Sequence, residues 1–365
     1  MITILRKTAW VAFVGTAGIG SAEIVARVDD AIRSGAPIMS SPSSTDLTMH
    51  DGLGTRGRPY ARYQKWRLNS AGFRGQEISL VPRRDCTRVA VMGASETFGY
   101  AESPGKEYPL QLEDSLNRSG CYEVMNTAVT GLPLTGQVQL WENWVSRFQP
   151  NVVVIYASPA FYLSNDPPHF AELHHDVKAT PLESDPFALR LLARLKDRVE
   201  YPAFMQRRRL DRKISNAISG QPQGWIFDKV PAERVALFRQ HLDSLVTSIK
   251  ARGAVPVLVT HAMRFGGEID AQDRVLLRSW RQFTPRATED VLMRFERETA
   301  KVVRELAEER GVPVADVAAQ MTGHEKWFAD FTHFNDEGAG VIAHCIAETI
   351  QNARPAPSVV LSAVP

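Results

Sequence analysis

From Arg88 onward the chain alternates short apolar runs with longer amphipathic stretches. Arg88 to Met92, Tyr122 to Met125, Asn151 to Tyr156, Val255 to Thr260 and Val312 to Val317 are rich in β-branched residues and read as strands. Asn151 to Tyr156 (NVVVIY) is apolar almost throughout, as expected of a central strand covered on both faces. Helical patterns lie between the strands. They comprise Tyr108 to Leu116, a stripe of Val138, Trp141, Val145 and Phe148 that ends at Pro150, and a helix from about Pro231 to Arg252. A second stripe of Val291, Phe295, Val302 and Leu306 stops at Gly311, and Glu337 to Gln351 forms the last helix. Strands and helices in this alternation predict an α/β protein with a parallel sheet of five strands, helices packing on both faces.

The pattern also marks what lies outside this domain. Met1 to Lys7 carries Arg6 and Lys7, and Thr8 to Ala22 is then free of charge. A basic start, an apolar run and the small residues Gly20, Ser21 and Ala22 predict an export signal, or an uncleaved anchor continuing to Val28, over residues 1–33. The uncharged run is itself shorter than the roughly 20 residues of a membrane span. Residues 34–59, rich in Ser, Gly, Pro and Thr, read as a linker, 60–352 as the folded domain, and 353–365 as a loose tail. Residues 161–230 interrupt the domain after the third strand. Within them Phe187, Leu191, Leu195 and Val199 share a helix face, and Phe187 to Lys213 holds nine Lys or Arg against three Asp or Glu. Such a stretch suits an anionic membrane or glycan, although a solvated helix gives the same pattern.

Composition narrows this little. The 365 residues are 44% apolar and 23% charged with a net charge of +2, ordinary for a globular chain, and no nucleic-acid module is evident. Three cysteines build neither a disulfide scaffold nor a zinc site. Cys86 and Cys121 precede the first and second strands, however. If those strands are parallel neighbours, both thiols start at one sheet edge, where a disulfide in an oxidising compartment and two free buried thiols fit equally well.

Candidate chemistry sits where the first strand gives way to a helix, in RVAVMGASETFG. Ser95 falls at the carboxyl edge of the sheet, where open α/β folds place ligands, and near a helix N-terminus that stabilises an oxyanion. Taken alone, Ser95 reads equally as a helix cap. Near the other end of the domain, WFADFTHFNDEG places Asp330 three residues before His333. A serine nucleophile needs a base, and the base an orienting carboxylate. G-x-S-x-T after the first strand with D-x-x-H before the last helix resembles the SGNH/GDSL hydrolases. It is not the G-x-S-x-G elbow, because Thr97 stands at the second glycine position. A segment like Asn69-Ser70-Ala71-Gly72-Phe73-Arg74-Gly75 also precedes the first block in several exported proteins of that kind.

The resemblance implies a flavodoxin-like three-layer α/β/α sandwich, with Ser95 as nucleophile, His333 as base and Asp330 as its orienting acid. The oxyanion donors would be the Ser95 N–H, Gly131 in NTAVTGLPLTGQ, and an asparagine of the third block. Gly131 also reads as an ordinary turn residue. The third block departs from the family pattern: Tyr156 leads into Ala-Ser-Pro-Ala, and the nearest Asn-Asp is Asn165-Asp166, which nominates Asn165. Ala94 replaces the family's aspartate, a smaller departure. His169, His174, His175 and Asp176 cluster without H-E-x-x-H spacing, so no metal site is expected, and no cofactor is needed. His261, ending the fourth strand, reads as a structural histidine near the pocket. The expected activity is hydrolysis of an O-acyl ester on a small molecule, glycan or lipid. The alternatives are O-acyl transfer to a polysaccharide and glycan binding without turnover.

Overall fold

The computed structural model describes residues 2–34, 38–39, 47–164, 190–191, 194, 202–267 and 269–353, with the backbone alone for 2–9 and 203. A long helix, α1 (Ile2–Ser34), opens the chain. Two antiparallel hairpins follow, β1 (Thr48–Asp51) with β2 (Gly54–Gly57), and β3 (Arg62–Tyr63) with β4 (Trp66–Arg67). The first hairpin lies inside the stretch read as a linker. Its turn is closed by polar contacts that composition does not reveal: Asp51 accepts from the Leu53 N–H at 2.9 Å and from Arg56 at 2.7 Å.

The domain then runs β5 (Thr87–Gly93), α2 (Ser95–Phe98), α3 (Tyr108–Leu116), β6 (Tyr122–Asn126), α4 (Leu134–Asn143) and β7 (Val152–Tyr156). After the insertion come α5 (Ala203–Ile218), α6 (Ala232–Ala251), β8 (Val255–Val259), α7 (Ala271–Arg281), α8 (Glu289–Arg310), β9 (Val314–Ala315), α9 (Val317–Met321) and α10 (Asp336–Asn352). Three elements differ from the sequence reading. The stripe from Val138 to Phe148 is α4 followed by a separate 3-10 turn, Val145–Phe148. Helix α7 was not foreseen. The last strand is two residues long, because Asp316 accepts from the Ala319 N–H and starts α9.

The sheet order is β6-β5-β7-β8-β9, every pair parallel. This is a flavodoxin-like three-layer α/β/α sandwich around a five-stranded parallel sheet. Its direction of winding switches between β5 and β7, where such sheets open a crevice for ligands. Strand residues alternate between two cores. Ala90, Met92, Val153, Ile155 and Leu258 pack with α4, α6 and α8, whereas Val89, Val91, Val154, Tyr156, Val257 and Val259 pack with α3 and α10. Burial on both faces explains why the strands read as unbroken apolar runs.

At the opposite, amino-terminal edge, Cys86 and Cys121 form a disulfide rather than two free thiols, and Arg88 donates to Glu123 across β5 and β6 at 2.9 Å. Helix α1 is long and apolar enough to cross a membrane by length and composition, a test that a signal sequence also passes. Trp10, Val11, Phe13 and Val14 on it are exposed. Its later half is joined to the domain: the Glu23 carboxylate accepts the N–H groups of Arg190 and Leu191 at 3.0 and 2.8 Å.

Candidate active site

Ser95 is placed by a tight turn. A Cβ at Gly93 would lie 2.0 Å from Thr97 Oγ1 and 2.9 Å from the Tyr156 carbonyl oxygen, so only glycine lets β5 end this close to α2. Thr97, the last residue of the G-x-S-x-T motif, shares a hydrogen bond with the Tyr108 hydroxyl at 2.8 Å. Ser95 is the first residue of α2, Ala94 occupies the cap position, and no side chain caps the helix. The competing reading of Ser95 as a helix cap is therefore not realised. The far end of α2 is held by Arg74, whose Nη1 donates to the Phe98 and Gly99 carbonyls at 2.5 Å and whose Nη2 meets Glu107 at 3.1 Å. Residues 69–75 thus lock the helix that carries Ser95.

Asp330 and His333 face each other on the loop before α10. Asp330 Oδ1 accepts the backbone N–H groups of Thr332 and His333 at 2.9 and 2.8 Å, leaving Oδ2 for His333 Nδ1 at 2.7 Å. An ionised carboxylate in that position takes the proton on Nδ1 and leaves Nε2 as the acceptor. His333 Nε2 is buried and has no hydrogen-bond partner among the described residues. Burial works against the charged ring, but the Asp330 hydrogen bond and the charges of Asp330, Glu96 and Glu102 outweigh it and raise the His333 pKa. Burial likewise works against the Asp330 carboxylate, and the partnership with His333 lowers its pKa on balance.

Ser95, Gly131, Asp330 and His333 line one cavity of about 610 Å³. Gly131 is exposed, has φ +74°, and an added Cβ would meet nothing within 4 Å, so its backbone is open to a ligand. One wall is aromatic: Trp280 stacks on Phe331 with ring centroids 5.8 Å apart, and Phe283 and Phe161 complete it. Asn165 lies outside the described residues, as do His169, His174, His175 and Asp176. Ser164, the residue before Asn165, lines the cavity. In the third block, Ser158 takes a place in the cavity wall, donating its hydroxyl to Glu96 Oε1 at 3.0 Å. Among the described residues no group of three or more His, Cys, Asp or Glu is arranged to hold a metal.

The sequence reading missed the charges behind the serine. Glu96 is buried and accepts from Thr332 Oγ1 at 3.1 Å, and its Oε2 lies 3.4 Å from Ser95 Oγ. His261 Nε2 is 3.4 Å from Glu96, and its Nδ1 is 2.7 Å from Glu296 Oε2, an ion-pair contact outside hydrogen-bond alignment. Burial opposes charge on both partners. The pairing prevails, lowering the Glu96 pKa and raising that of His261, so both are charged. The one sequence signal was the adjacency of Glu96 to Ser95. Glu102, after α2, is 1% exposed, and burial pushes its carboxyl up to about 7.

The fold, with Ser95, Gly131, Asp330 and His333, defines an α/β protein with a serine, an imidazole and a carboxylate gathered at the carboxyl edge of its sheet. No family model matches the chain, and no curated relative matches it. Solved structures do. The lipase/acylhydrolase from Enterococcus faecalis is 18% identical, with 73% of this chain and 96% of that chain covered and a TM-score of 0.40. Axe2, an acetylxylan esterase from Geobacillus stearothermophilus, is 14% identical over 72% and 94% of the two chains, with a TM-score of 0.42. A GDSL-like lipase from Bacteroides thetaiotaomicron is 11% identical over 76% and 93%, with a TM-score of 0.41.

Proposed function

We propose that the chain is a serine esterase of the SGNH type acting on an O-acyl ester. The observation that carries this reading is the convergence of Ser95, the Asp330–His333 pair with its unpartnered Nε2, and Gly131 on one cavity. Ser95 Oγ attacks the ester carbonyl carbon and forms a C–O bond while its proton passes to His333 Nε2. The oxyanion faces the N–H groups of Ser95 and Gly131. Collapse breaks the ester C–O bond, and His333 returns the proton to the leaving alcohol. Water then repeats the sequence on the acyl-enzyme and frees Ser95 and a carboxylic acid.

The aromatic wall suits an apolar acyl group. Lys213 on the basic helix α5 donates to Gln282, a residue of the cavity wall, at 3.2 Å, which favours an anionic glycan as the alcohol part. The apolar α1 and the Cys86–Cys121 bond fit a protein exported from a reducing cytoplasm, whether released or anchored.

The test is labelling of the full-length chain in detergent with a fluorophosphonate, read by intact mass and peptide mapping. Labelling at Ser95 that is lost in His333→Ala supports the reading. No labelling of folded protein overturns it and favours glycan binding without turnover. Given labelling, acyl transfer to added sugar in preference to water identifies a transferase.

A further inference from the structure

The acyl-transfer steps leave one buried cluster unused. Glu96, His261 and Glu296 have side chains 5, 3 and 1% exposed, and they come from α2, the end of β8 and α8. Two carboxylates flank one imidazole, and Glu96 also accepts from Ser158 at the end of β7 and from Thr332 on the acid–base loop. One side chain therefore ties together the ends of three sheet strands and the loop that holds Asp330 and His333. Replacing a buried ion pair by apolar residues is often neutral or stabilising, so stability of the fold does not by itself account for these charges.

We propose that Glu96 is a positioning residue: ionised between His261 and Thr332, it holds the Asp330–His333 loop in register with Ser95 and keeps a negative charge near the ring of His333. The inference rests on the esterase reading. Thr332 is the mechanical link, since its hydroxyl is held by Glu96 while its N–H is held by Asp330. The charge acts on the imidazolium that forms when His333 takes the serine proton. The groups facing His333 are Asp330 on its own loop, Glu96 on α2, Glu102 beyond it, and the rings of Tyr100 and Phe331. Glu96 lies close to Ser95 Oγ without deprotonating it, because its own proton affinity is held low by His261 and His333.

Three variants of the full-length chain in detergent separate charge from tether. The readouts are the fluorophosphonate labelling rate of Ser95 against pH and the titration of His333 followed by NMR. Glu96→Gln keeps the shape and removes the charge. Its acid limb and its His333 midpoint should move down by about half a pH unit, a fraction of the 1–3 units of a direct contact. Thr332→Val cuts the tether and should slow labelling by about 10- to 10²-fold with the limb unmoved. Thr332→Ser should restore the rate. A Glu96→Gln protein that melts lower but keeps the wild-type limb and midpoint overturns the proposal, as does Thr332→Val labelling at the wild-type rate. Should Glu96→Gln fail to fold, the two Thr332 variants decide. If the wild type takes no label, the esterase reading falls, and the His333 midpoint alone decides: lower in Glu96→Gln supports the role of the charge, unchanged overturns it.

Discussion

His333 Nδ1 lies 2.7 Å from Asp330 Oδ2, and the opposite ring nitrogen is buried without a hydrogen-bond partner among the described residues. In the proposed role as base His333 works only when its ring is neutral, and its pKa is raised above the ordinary 6.5. The ester-cleavage rate, kcat/KM, should therefore climb with pH along a limb centred above 6.5, measured with 4-nitrophenyl acetate from pH 5 to 9. Stability runs the other way. A pKa raised on folding contributes stability that is complete below the unfolded value and is lost as pH rises through the folded one. A limb centred below 6.5 would mean that His333 is not the base.

Glu102 carries a separate pH signature. Its carboxyl is buried and titrates at about 7 against an unfolded value of 4.5, so folding favours the protonated form. The corresponding stability is present below pH 4.5 and lost by pH 8. Glu102→Gln, which cannot ionise, should be more stable than wild type at pH 8, by on the order of 3 kcal/mol, and similar at pH 4. Denaturant melts at the two pH values make the comparison. Equal stability at pH 8 would place the Glu102 carboxyl in water.

Gly131→Ala tests the glycine as an oxyanion donor. Space is available for the added methyl, but φ +74° is left-handed, and an L side chain there costs about 1–2 kcal/mol. Relief of that strain would swing the N–H away from the cavity. The expected result is a fall in kcat approaching the 10²- to 10³-fold typical of losing one such donor, with KM little changed. An unaltered kcat would leave Gly131 as a turn residue.

The Cys86–Cys121 bond spans 35 residues, and loop-closure entropy assigns such a link about 3–4 kcal/mol. Cys86→Ala/Cys121→Ala should lower stability by that order in urea melts. The oxidised, denatured wild type should titrate a single thiol, that of Cys345. Three thiols would mean that the link does not form.

The β-branched runs of β5 and β7, the serine after Gly93 and the Asp330–His333 spacing were legible in the sequence because each is a local pattern. The cluster behind them was not. Glu96 sits on a helix of four residues, too short for periodicity to separate a buried side from an exposed one, and a glutamate is read as surface by default. Glu296 lies on the long helix α8, where it is buried among Val291, Leu292, Phe295 and Thr299. Only the contact with His261, 35 residues away in the chain, explains a carboxylate in that position. Helix α7 was missed for a related reason: its sequence AQDRVLLRSWR is mostly polar, and it buries just Asp273, Leu277 and Trp280. The β1–β2 hairpin is held by an Asp51–Arg56 pair inside a polar, glycine-rich stretch that mimics a linker.

Strands β5 and β6 begin beside the linked cysteines, and the segments leaving their other ends carry Ser95 and Gly131. Seven residues of β5 put about 23 Å between the bond and the chemistry. The link therefore joins the starts of the two strands whose far ends lead to Ser95 and Gly131. Cys345 in α10 is the sole competitor, so a newly made chain has two wrong intramolecular ways to oxidise and one right way.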